Sequence, residues 1–254
     1  MTAVEASAVR ATAASAPSVL EAVDLRRDFG GRRAVDGVSF ALGAGDCLAL
    51  FGPNGAGKST VLRMLAGLLR PTGGRATVDG VTLPGGDAAR RQVGLLSHES
   101  MLYGALTAFE NVEFAARLYG VPDAAAAARQ ALDRMRVADR STTPVRLLSR
   151  GLRQRVSVAR AVVHSPRVVL LDEPYTGLDE AGAAALSVLL EGLRAGGAAL
   201  VLVTHHLGEG LALATRVAVM RSGRIVRDDP RAAIEPATYA AEYRAMVAGG
   251  GAGG

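Results

Sequence analysis

Several residue types are scarce in this chain of 254 residues. Cys47 is the single cysteine, so no disulfide can form within the chain, and its apolar surroundings favour a buried thiol over a reactive one. Tryptophan is absent and aromatic residues make up only 4% of the chain, so a core must be built from Val, Leu and Ala. No apolar run approaches the roughly 18 to 20 residues that span a bilayer. These absences favour a reducing compartment and predict no membrane-spanning segment.

Lysine is nearly absent from a basic chain. The net charge is +5, yet Lys58 is the only lysine among 29 basic residues, and all the others are arginines. The arginines are scattered, with no long basic run and few aromatic residues between them, so the charge does not indicate recognition of nucleic acid. We interpret the charge as suited to an anionic membrane face, and we expect no nucleic-acid partner.

The length and the two ends of the chain predict one main domain with flexible termini. A chain of 254 residues can bury one large core, or a core with a smaller subdomain beside it. Residues 1–17 are rich in Ala and Ser and lack the regions of a secretory signal, so we expect a disordered leader. We assign residues 18–235 to the domain and residues 236–254, which end in a glycine-rich run, to a C-terminal tail.

A glycine-rich segment follows an apolar run and precedes a helical pattern. The run Cys47–Phe51 is typical of a buried strand, and residues 61–70 have apolar positions at helical spacing before Pro71. The pattern G-x-x-x-x-G-K-[ST] lies between them, continued by one residue: Gly52, Pro53, Asn54, Gly55, Ala56, Gly57, Lys58, Ser59 and Thr60. These features predict a phosphate-binding loop, because glycines let backbone N–H groups surround an anion and the helix N-terminus adds a positive dipole.

The lone lysine supports this prediction. We expect Lys58 to reach the β- and γ-phosphates of a nucleotide and the Ser59 hydroxyl to ligate Mg²⁺. A compact ammonium on a flexible stem fits a closed loop around phosphate, whereas the planar guanidinium that the chain uses elsewhere does not. The sequence therefore predicts that the chain binds a nucleoside triphosphate.

Strand patterns surround this loop on the N-terminal side. Two strand-like runs between residues 19 and 40 flank the turn signal Gly30-Gly31, and residues 75–83 are interrupted by the hairpin signal Asp79-Gly80. These patterns predict an antiparallel β subdomain. Phe29, which precedes the first turn, is suited to stack on an adenine ring.

Helical patterns dominate the middle of the chain. Thr107 and Glu110 form a predicted capping box that opens a helix through Leu118, and Asp123 and Ser149 begin two further helices. Residues of about 99–165 therefore look like a helical subdomain inserted between two strands. The fold class predicted is α/β, with a P-loop NTPase core, an antiparallel β subdomain and an inserted helical subdomain.

Two carboxylates follow the next apolar strand. Asp172 and Glu173 come directly after residues 168–171, at the strand end where open α/β sheets bind ligands. Asp172 is suited to hold the Mg²⁺ shell, and Glu173 to polarise the attacking water as a general base. A further predicted strand, residues 198–203, ends before His205 and His206.

Five segments in this order resemble the ATP-binding subunits of ABC transporters. They are the phosphate loop and residues 148–155, 168–173, 176–179 and 203–205, and the likeness covers about residues 19–228. The resemblance implies an ATPase with ATP and Mg²⁺ as cofactors. It also implies a separate membrane-spanning permease and a peripheral location at the cytoplasmic face of the plasma (inner) membrane.

The resemblance also implies roles for individual residues in a dimer that sandwiches two ATP molecules head to tail. Ser149 and Gly151 would belong to the signature motif, which contacts the γ-phosphate of ATP held by the opposite subunit. Asp179 would lie at the dimer interface. His205 would be the switch histidine that contacts the γ-phosphate, and Phe29 would be the ring that stacks on adenine.

The sequence departs from the family pattern at three places. The signature motif, usually LSGGQ, has the letters LSRGL at residues 148–152, which keep the hydroxyl and the second glycine. His206 replaces a residue that is usually acidic, and His98 stands where a Gln usually serves Mg²⁺ and the permease. We place His98 at the nucleotide site. With residues 106–112 it resembles the ATP-binding subunit of the haem exporter of cytochrome c maturation.

Other functions stay open on the sequence alone. The transporter could export drugs, lipids or other small molecules, because the substrate path lies in the permease. A related ATPase acting on nucleic acid or ribosomes is a second class, but the roughly fifty residues between His98 and Ser149 leave no room for a long coiled coil. Translation factors of this type usually carry two cassettes, and this chain has one. A regulator without turnover conflicts with the presence of Glu173 and His205.

Overall fold

The structure, a computed structural model, describes residues 17–248. This part of the chain forms two β-sheets with helices packed around them. Residues of both sheets and of the helix after the phosphate loop belong to one apolar cluster, so the two sheets share a core. This arrangement confirms the predicted α/β fold with an antiparallel sheet and an inserted helical part.

The first sheet is antiparallel and has four strands. Their order is β2 (Arg32–Leu42), β1 (Leu20–Phe29), β4 (Gly73–Val78) and β5 (Val81–Leu83). The Gly30-Gly31 and Asp79-Gly80 pairs connect β1 to β2 and β4 to β5, and all four residues have positive φ. Both turns are where the sequence predicts them, since glycine adopts this conformation without a steric cost.

The second sheet carries the predicted site. Its strands lie in the order β10 (Arg224–Pro230), β9 (Arg216–Arg221), β3 (Cys47–Phe51), β8 (Ala199–Val203), β7 (Val168–Asp172) and β6 (Val93–Leu96). Only β10 pairs antiparallel with its neighbour. Strands β3, β7 and β8 are buried along their whole length, as expected for parallel strands covered on both faces.

The helical insertion lies between β6 and β7 in the chain. After the short helix α2 (Asp87–Arg90) and strand β6, it contains α3 (Ala108–Leu118), α4 (Ala124–Arg134) and α5 (Arg150–Val162), with 3-10 turns at Ala138–Arg140 and Val145–Leu147. Thr107 and Glu110 make the predicted capping box, and the side chains of Asp123 and Ser149 accept backbone N–H groups of α4 and α5. The side-chain oxygens satisfy N–H groups that a helix start leaves free, which is why these residues begin the helices.

Two helices that pack against the sheets differ from the prediction made from the sequence. Helix α1 (Lys58–Leu65) ends earlier than the predicted residues 61–70, because Gly67 at φ +68 turns the chain before Pro71 is reached. Helix α6 (Glu180–Ala195) follows β7. Helix α7 (Leu207–Leu213), directly after His205 and His206, was not predicted.

The structure corrects the assignment of residues 236–248 to a tail. After a 3-10 turn at Arg231–Ala233, they form helix α8 (Pro236–Ala248), and the Tyr239 side chain is buried against β3 and β9. Tyr239, Tyr243 and Met246 follow the spacing of one helix face, and this pattern is the signal that the sequence analysis missed. Residues 1–16 of the predicted leader and the glycine-rich run 249–254 lie outside the described residues.

A half-buried histidine follows the end of α5. The His164 ring stacks on Tyr119 with the ring centroids 3.7 Å apart, and its Nε2 lies 3.3 Å from the carbonyl oxygen of Val93. Burial and, to a smaller extent, nearby Arg160 lower the pKa of His164 from 6.5 to about 4, and the hydrogen bond to Val93 opposes this shift. The imidazole is therefore neutral in the folded protein at pH values where an unfolded chain binds a proton.

We expect His164 to make the fold sensitive to mild acid. Between about pH 6.5 and pH 4 the unfolded state binds the extra proton, so the free energy of unfolding falls as the pH is lowered through this window. His164→Gln keeps an N–H donor for Val93 without a titrating group and should flatten this part of the profile. Urea unfolding midpoints of the two proteins at several pH values test this, and parallel profiles would contradict it.

Candidate active site

The phosphate loop connects β3 to α1 through two tightly packed glycines. A Cβ atom on Gly52 would lie 2.1 Å from the carbonyl oxygen of Met220, and one on Gly57 would lie 2.3 Å from that of Ala34. Gly57 is also the N-terminal cap of α1 with φ 102, and no side chain caps this helix. The first N–H groups of α1 thus remain available to an anion.

The Lys58 side chain is hydrogen-bonded to the loop in which it is expected to bind phosphate. Its Nζ donates hydrogen bonds to the carbonyl oxygens of Gly52 at 2.7 Å and Pro53 at 2.9 Å. Burial lowers the pKa of Lys58, while the nearby carboxylates of Glu173 and Asp172 oppose this shift. The ammonium is thus positioned in the loop, where phosphate oxygens can replace the two carbonyls as its partners.

Asp172 and Ser59 supply the oxygens predicted for a metal. Asp172, the last residue of β7, is only 7% exposed, and burial raises the pKa of its carboxyl group, which a hydrogen bond from Ser59 opposes. Mg²⁺ is commonly held by one or two protein oxygens together with substrate phosphates and water, so this pair fits such an ion. Within residues 17–248, no cluster of three or more His, Cys, Asp or Glu side chains forms a fuller protein site.

Glu173 and His205 meet at the ends of neighbouring strands. The Nδ1 atom of His205 lies 2.8 Å from Oε2 of Glu173, and the backbone N–H of His205 is 3.3 Å from the same oxygen. Glu173 has φ 53, an unusual value for a residue other than glycine, and its N–H donates to the carbonyl oxygen of Val203 at 2.8 Å. Backbone pairing with β8 therefore fixes the glutamate in the conformation that reaches the histidine.

His98 lies beside the same carboxylates. Its Nδ1 is 3.9 Å from Oδ2 of Asp172, and its Nε2 is 3.8 Å from Oε1 of Glu99. The imidazole is about half exposed and lines a cavity of about 330 Å³ with Glu173, Arg150 and other residues. His98 is thus at the edge of the site, next to the expected metal ligand.

Phe29 lines the cavity of the phosphate loop. This cavity has a volume of about 600 Å³ and is bounded by Phe29, Arg32 and Arg33 on one side and the loop on the other. The guanidinium carbon of Arg27 lies 4.6 Å from the Phe29 ring centroid, and the ring remains 46% exposed. An exposed aromatic ring beside a phosphate loop can stack on a nucleotide base.

Three predicted site residues lie away from the phosphate loop of their own chain. Ser149 caps α5, a Cβ atom on Gly151 would lie 2.8 Å from the carbonyl oxygen of Gly177, and Asp179 caps α6 while it pairs with Arg155. None of the three lines the loop cavity. The close approach of Gly151 to Gly177 and the Asp179–Arg155 pair bring the start of α5 against the start of α6.

Two arginines near the carboxylates were not predicted as site residues. Arg150 and Arg153, on the first turns of α5, line the cavity that contains His98, Asp172 and Glu173. The Arg150 side chain passes over Gly177, where a Cβ atom would lie 3.1 Å from its Nε. Arg150 stands where the signature motif usually has a glycine, and this substitution is the sequence signal that could have indicated a site residue.

Together the parallel sheet, the glycine loop with its lysine and the strand-end carboxylates define a P-loop nucleoside triphosphatase. Comparisons with known proteins narrow this class. A protein-family model described as "ABC transporter" matches residues 35–176.

Relatives of known name agree with this match. The chain is 44% identical over 214 residues to the cobalt import ATP-binding protein CbiO of Rhodobacter capsulatus, which covers 81% of this chain and 76% of that protein. It is 37% identical over 209 residues to the Nod factor export ATP-binding protein I of Ralstonia nicotianae, and the match covers 81% of this chain and 65% of that protein. It is 39% identical over 216 residues to the spermidine/putrescine import ATP-binding protein PotA of Pseudomonas aeruginosa, with 84% and 60% covered. The match thus spans less than two thirds of the latter two proteins.

Solved structures show the same architecture. An ATP-binding subunit of an ABC transporter superposes with a TM-score of 0.80 at 28% identity, covering 89% of this chain and 95% of that one. A dimeric ATP-binding cassette in a post-hydrolysis state with ADP and Pi superposes with a TM-score of 0.76 at 25% identity, covering 84% of this chain and 98% of that one. The chain belongs to the ABC transporter family and is an ATPase of that family.

We expect Lys58→Arg to weaken ATP binding at least about tenfold. The planar guanidinium cannot take the place of the half-buried ammonium between loop and phosphate. Titration calorimetry with ATP measures the Kd, and Arg63→Lys, an exposed position on the same helix, is the matched control that should bind as the wild type does. Equal affinity in Lys58→Arg and wild type would show that the lone lysine is coincidental.

Proposed function

We propose that this chain binds ATP with Mg²⁺ and hydrolyses it to power a separate membrane permease. The convergence of Lys58, Asp172 and Glu173 at one sheet edge, with His205 bonded to Glu173, is the observation that carries the proposal. Family membership supports it, because relatives are named as import or export ATP-binding proteins.

Each group has a distinct chemical task in this proposal. Lys58 and the loop N–H groups bind the β- and γ-phosphates, and Ser59 and Asp172 hold Mg²⁺, which neutralises phosphate charge when bound. Glu173 orients and polarises the attacking water, and His205 is held by Glu173 where it can contact the γ-phosphate. Phe29 stacks on adenine at the far end of the loop cavity.

We expect Glu173→Gln to separate binding from turnover. The amide keeps the shape of the side chain but cannot act as a base, so hydrolysis should fall roughly a hundredfold or more while the Kd for ATP stays within about twofold. Phosphate release and ATP binding are measured in parallel, with Glu180→Gln at the start of α6 as the control of equal charge change. Wild-type turnover in Glu173→Gln would reject this residue as the base.

A head-to-tail dimer completes the site in this proposal. Ser149 and Gly151 lie away from their own phosphate loop, and in a dimer they contact the γ-phosphate of ATP on the opposite subunit, with Asp179 at the interface. The similarity to a cassette solved as a dimer with ADP and Pi supports this arrangement. ATP-dependent dimerisation of Glu173→Gln in size-exclusion chromatography tests it.

An exposed apolar surface supports the permease as partner. Met101, Tyr103, Phe114 and Leu118 are all more than two-fifths exposed, and the rings of Tyr103 and Phe114 meet edge to face with centroids 5.7 Å apart. The buried Asn111 amide fixes this surface, accepting the N–H of Tyr103 at 2.8 Å and donating to its carbonyl at 3.1 Å. The residues of this surface begin three positions after His98 in the chain. We propose it as the docking site for a cytoplasmic helix of the permease, which places the chain at the membrane as a peripheral subunit.

None of the helices within residues 17–248 has the length and apolar character needed to cross a bilayer.

The transported substrate is the most specific part of the proposal. A similar chain, CbiO1 of Clostridium perfringens, is described as part of the ABC transporter complex cbiONQ, with a TM-score of 0.74 at 25% identity and 89% and 92% covered. His98 and residues 106–112 are the features that favour haem export here. The names of relatives include cobalt import, polyamine import, Nod factor export and daunorubicin resistance, so the identity of the permease that this chain binds would decide the substrate.

Cysteine crosslinking tests the docking surface. Cys47 is buried, so a cysteine introduced at Tyr103 gives a single accessible thiol. We expect Tyr103→Cys to crosslink to a membrane protein in native membranes. Val188→Cys, on α6 and 70% exposed, is the control that should not. Crosslinks of Tyr103→Cys only to ribosomal protein or nucleic acid would contradict the transporter assignment.

A further inference from the structure

A side chain of α5 binds the backbone next to the proposed base. Gln154, in the second turn of α5, donates a hydrogen bond from Nε2 to the carbonyl oxygen of Pro174 at 3.0 Å. Pro174 directly follows Glu173 and is buried. Because a carbonyl oxygen can only accept, the nitrogen of the Gln154 amide must face it, which fixes the orientation of the amide.

Glu173 opens a tight turn that is held from two sides. The N–H of Thr176 donates to the carbonyl oxygen of Glu173 at 3.2 Å and closes the turn, and the N–H of Glu173 donates to Val203 of β8 at 2.8 Å. Glu173 has φ 53, a conformation that residues other than glycine keep only where surrounding contacts hold them. Strand β8 thus holds the turn at Glu173, and Gln154 holds it at Pro174.

Helix α5 is itself fixed on the edge of the catalytic sheet. The Arg160 guanidinium donates to the carbonyl oxygen of Leu95 in β6 at 3.4 Å, and the Ser157 hydroxyl lies 3.3 Å from the carbonyl oxygen of Ser100. Together with Gln154, these two side chains recur at every third position and therefore share one side of the helix. That side of α5 contacts β6 and the segments that follow β6 and β7, so Gln154 extends from a fixed support.

The Gln154 side chain lies between the turn and the cavity of the carboxylates. It lines the cavity of about 330 Å³ that Glu173 also lines. Without this donor, the buried carbonyl of Pro174 would need water from the cavity or a rotation of the turn to regain a partner, because an unpaired buried carbonyl is costly. Both changes alter the surroundings of Glu173, and a displacement of about 1 Å in a reacting group can cost about a hundredfold in rate.

We propose that Gln154 is a positioning residue for hydrolysis, whose amide holds the Pro174 carbonyl and thereby aims the Glu173 carboxylate at the attacking water. The proposal rests on the role of Glu173 as the base in the proposed function. Gln154 does not line the cavity of the phosphate loop, so its effect falls on turnover and not on the affinity for ATP.

Two variants remove the donor in different ways. Gln154→Met keeps the length of the side chain and a good helix former, and Gln154→Glu keeps its shape but has no donor while it is ionised. If one variant does not fold, the other still tests the proposal. Gln130→Met is the matched control, because it makes the same exchange at an exposed position of α4.

The experiment compares these full-length proteins with the wild type. Steady-state hydrolysis gives kcat and KM, titration calorimetry gives the Kd for ATP, and cooperative thermal unfolding verifies the fold. We expect kcat of both Gln154 variants to fall about tenfold to a hundredfold, while KM and Kd stay within about twofold. Gln130→Met should equal the wild type in all three constants.

A double-mutant cycle tests whether Gln154 acts through Glu173. The residual single-turnover hydrolysis of Glu173→Gln should not fall further when Gln154→Met is added, because no base remains to be aimed. A full additional loss would assign Gln154 to another step and overturn the proposal.

Two other results would also overturn it. The first is a wild-type kcat in a folded Gln154 variant. The second is a rise in KM and Kd at unchanged kcat, which would assign Gln154 to nucleotide binding. Wild-type turnover in Glu173→Gln alone would instead reject the proposed base, and with it this role.

Discussion

The phosphate loop can surround an anion because its backbone is pressed against two other strands. The closest approaches are Gly52 to Met220 of β9 and Gly57 to Ala34 of β2, and a Cβ atom would collide at both positions. The N–H of Gly223, in the turn after β9, also donates to the carbonyl of Ala56 at 3.0 Å. The loop is therefore shaped before a nucleotide arrives, and preorganised N–H groups need no costly rearrangement when phosphate binds.

The order of strands in the catalytic sheet brings the reacting groups together. Strand β8 lies between β3, which feeds the loop, and β7, which ends in Asp172. All three are parallel, so their carboxyl ends open at one edge, where ligands bind in such sheets. Glu173 and His205 follow β7 and β8 and meet there. Burial at this edge raises the pKa of Asp172 and lowers that of Lys58, because both groups are partly removed from water.

Local signals predicted the starts of the three helices of the insertion, whereas helix ends and the last helix needed the structure. Thr107, Asp123 and Ser149 cap helices because their side-chain oxygens accept N–H groups three residues further on, which depends on local sequence alone. The end of α1 was misplaced because the turn at Gly67 outweighs the apolar spacing beyond it. Helix α8 was missed because Ala-rich residues near a glycine-rich end resemble a tail until Tyr239 is seen to be buried.

The sequence by itself determined the phosphate loop, the strand-end carboxylates and the fold class, because each depends on residue types within a short stretch of chain. Only the tertiary structure decided which distant residues meet. It pairs Glu173 with His205, sets His98 beside Asp172, and packs Tyr243 of α8 against Phe51, the residue before the loop. The physical reason is that these contacts follow from strand order and helix packing, which sum many weak apolar contacts over the whole core, and no single motif encodes that sum.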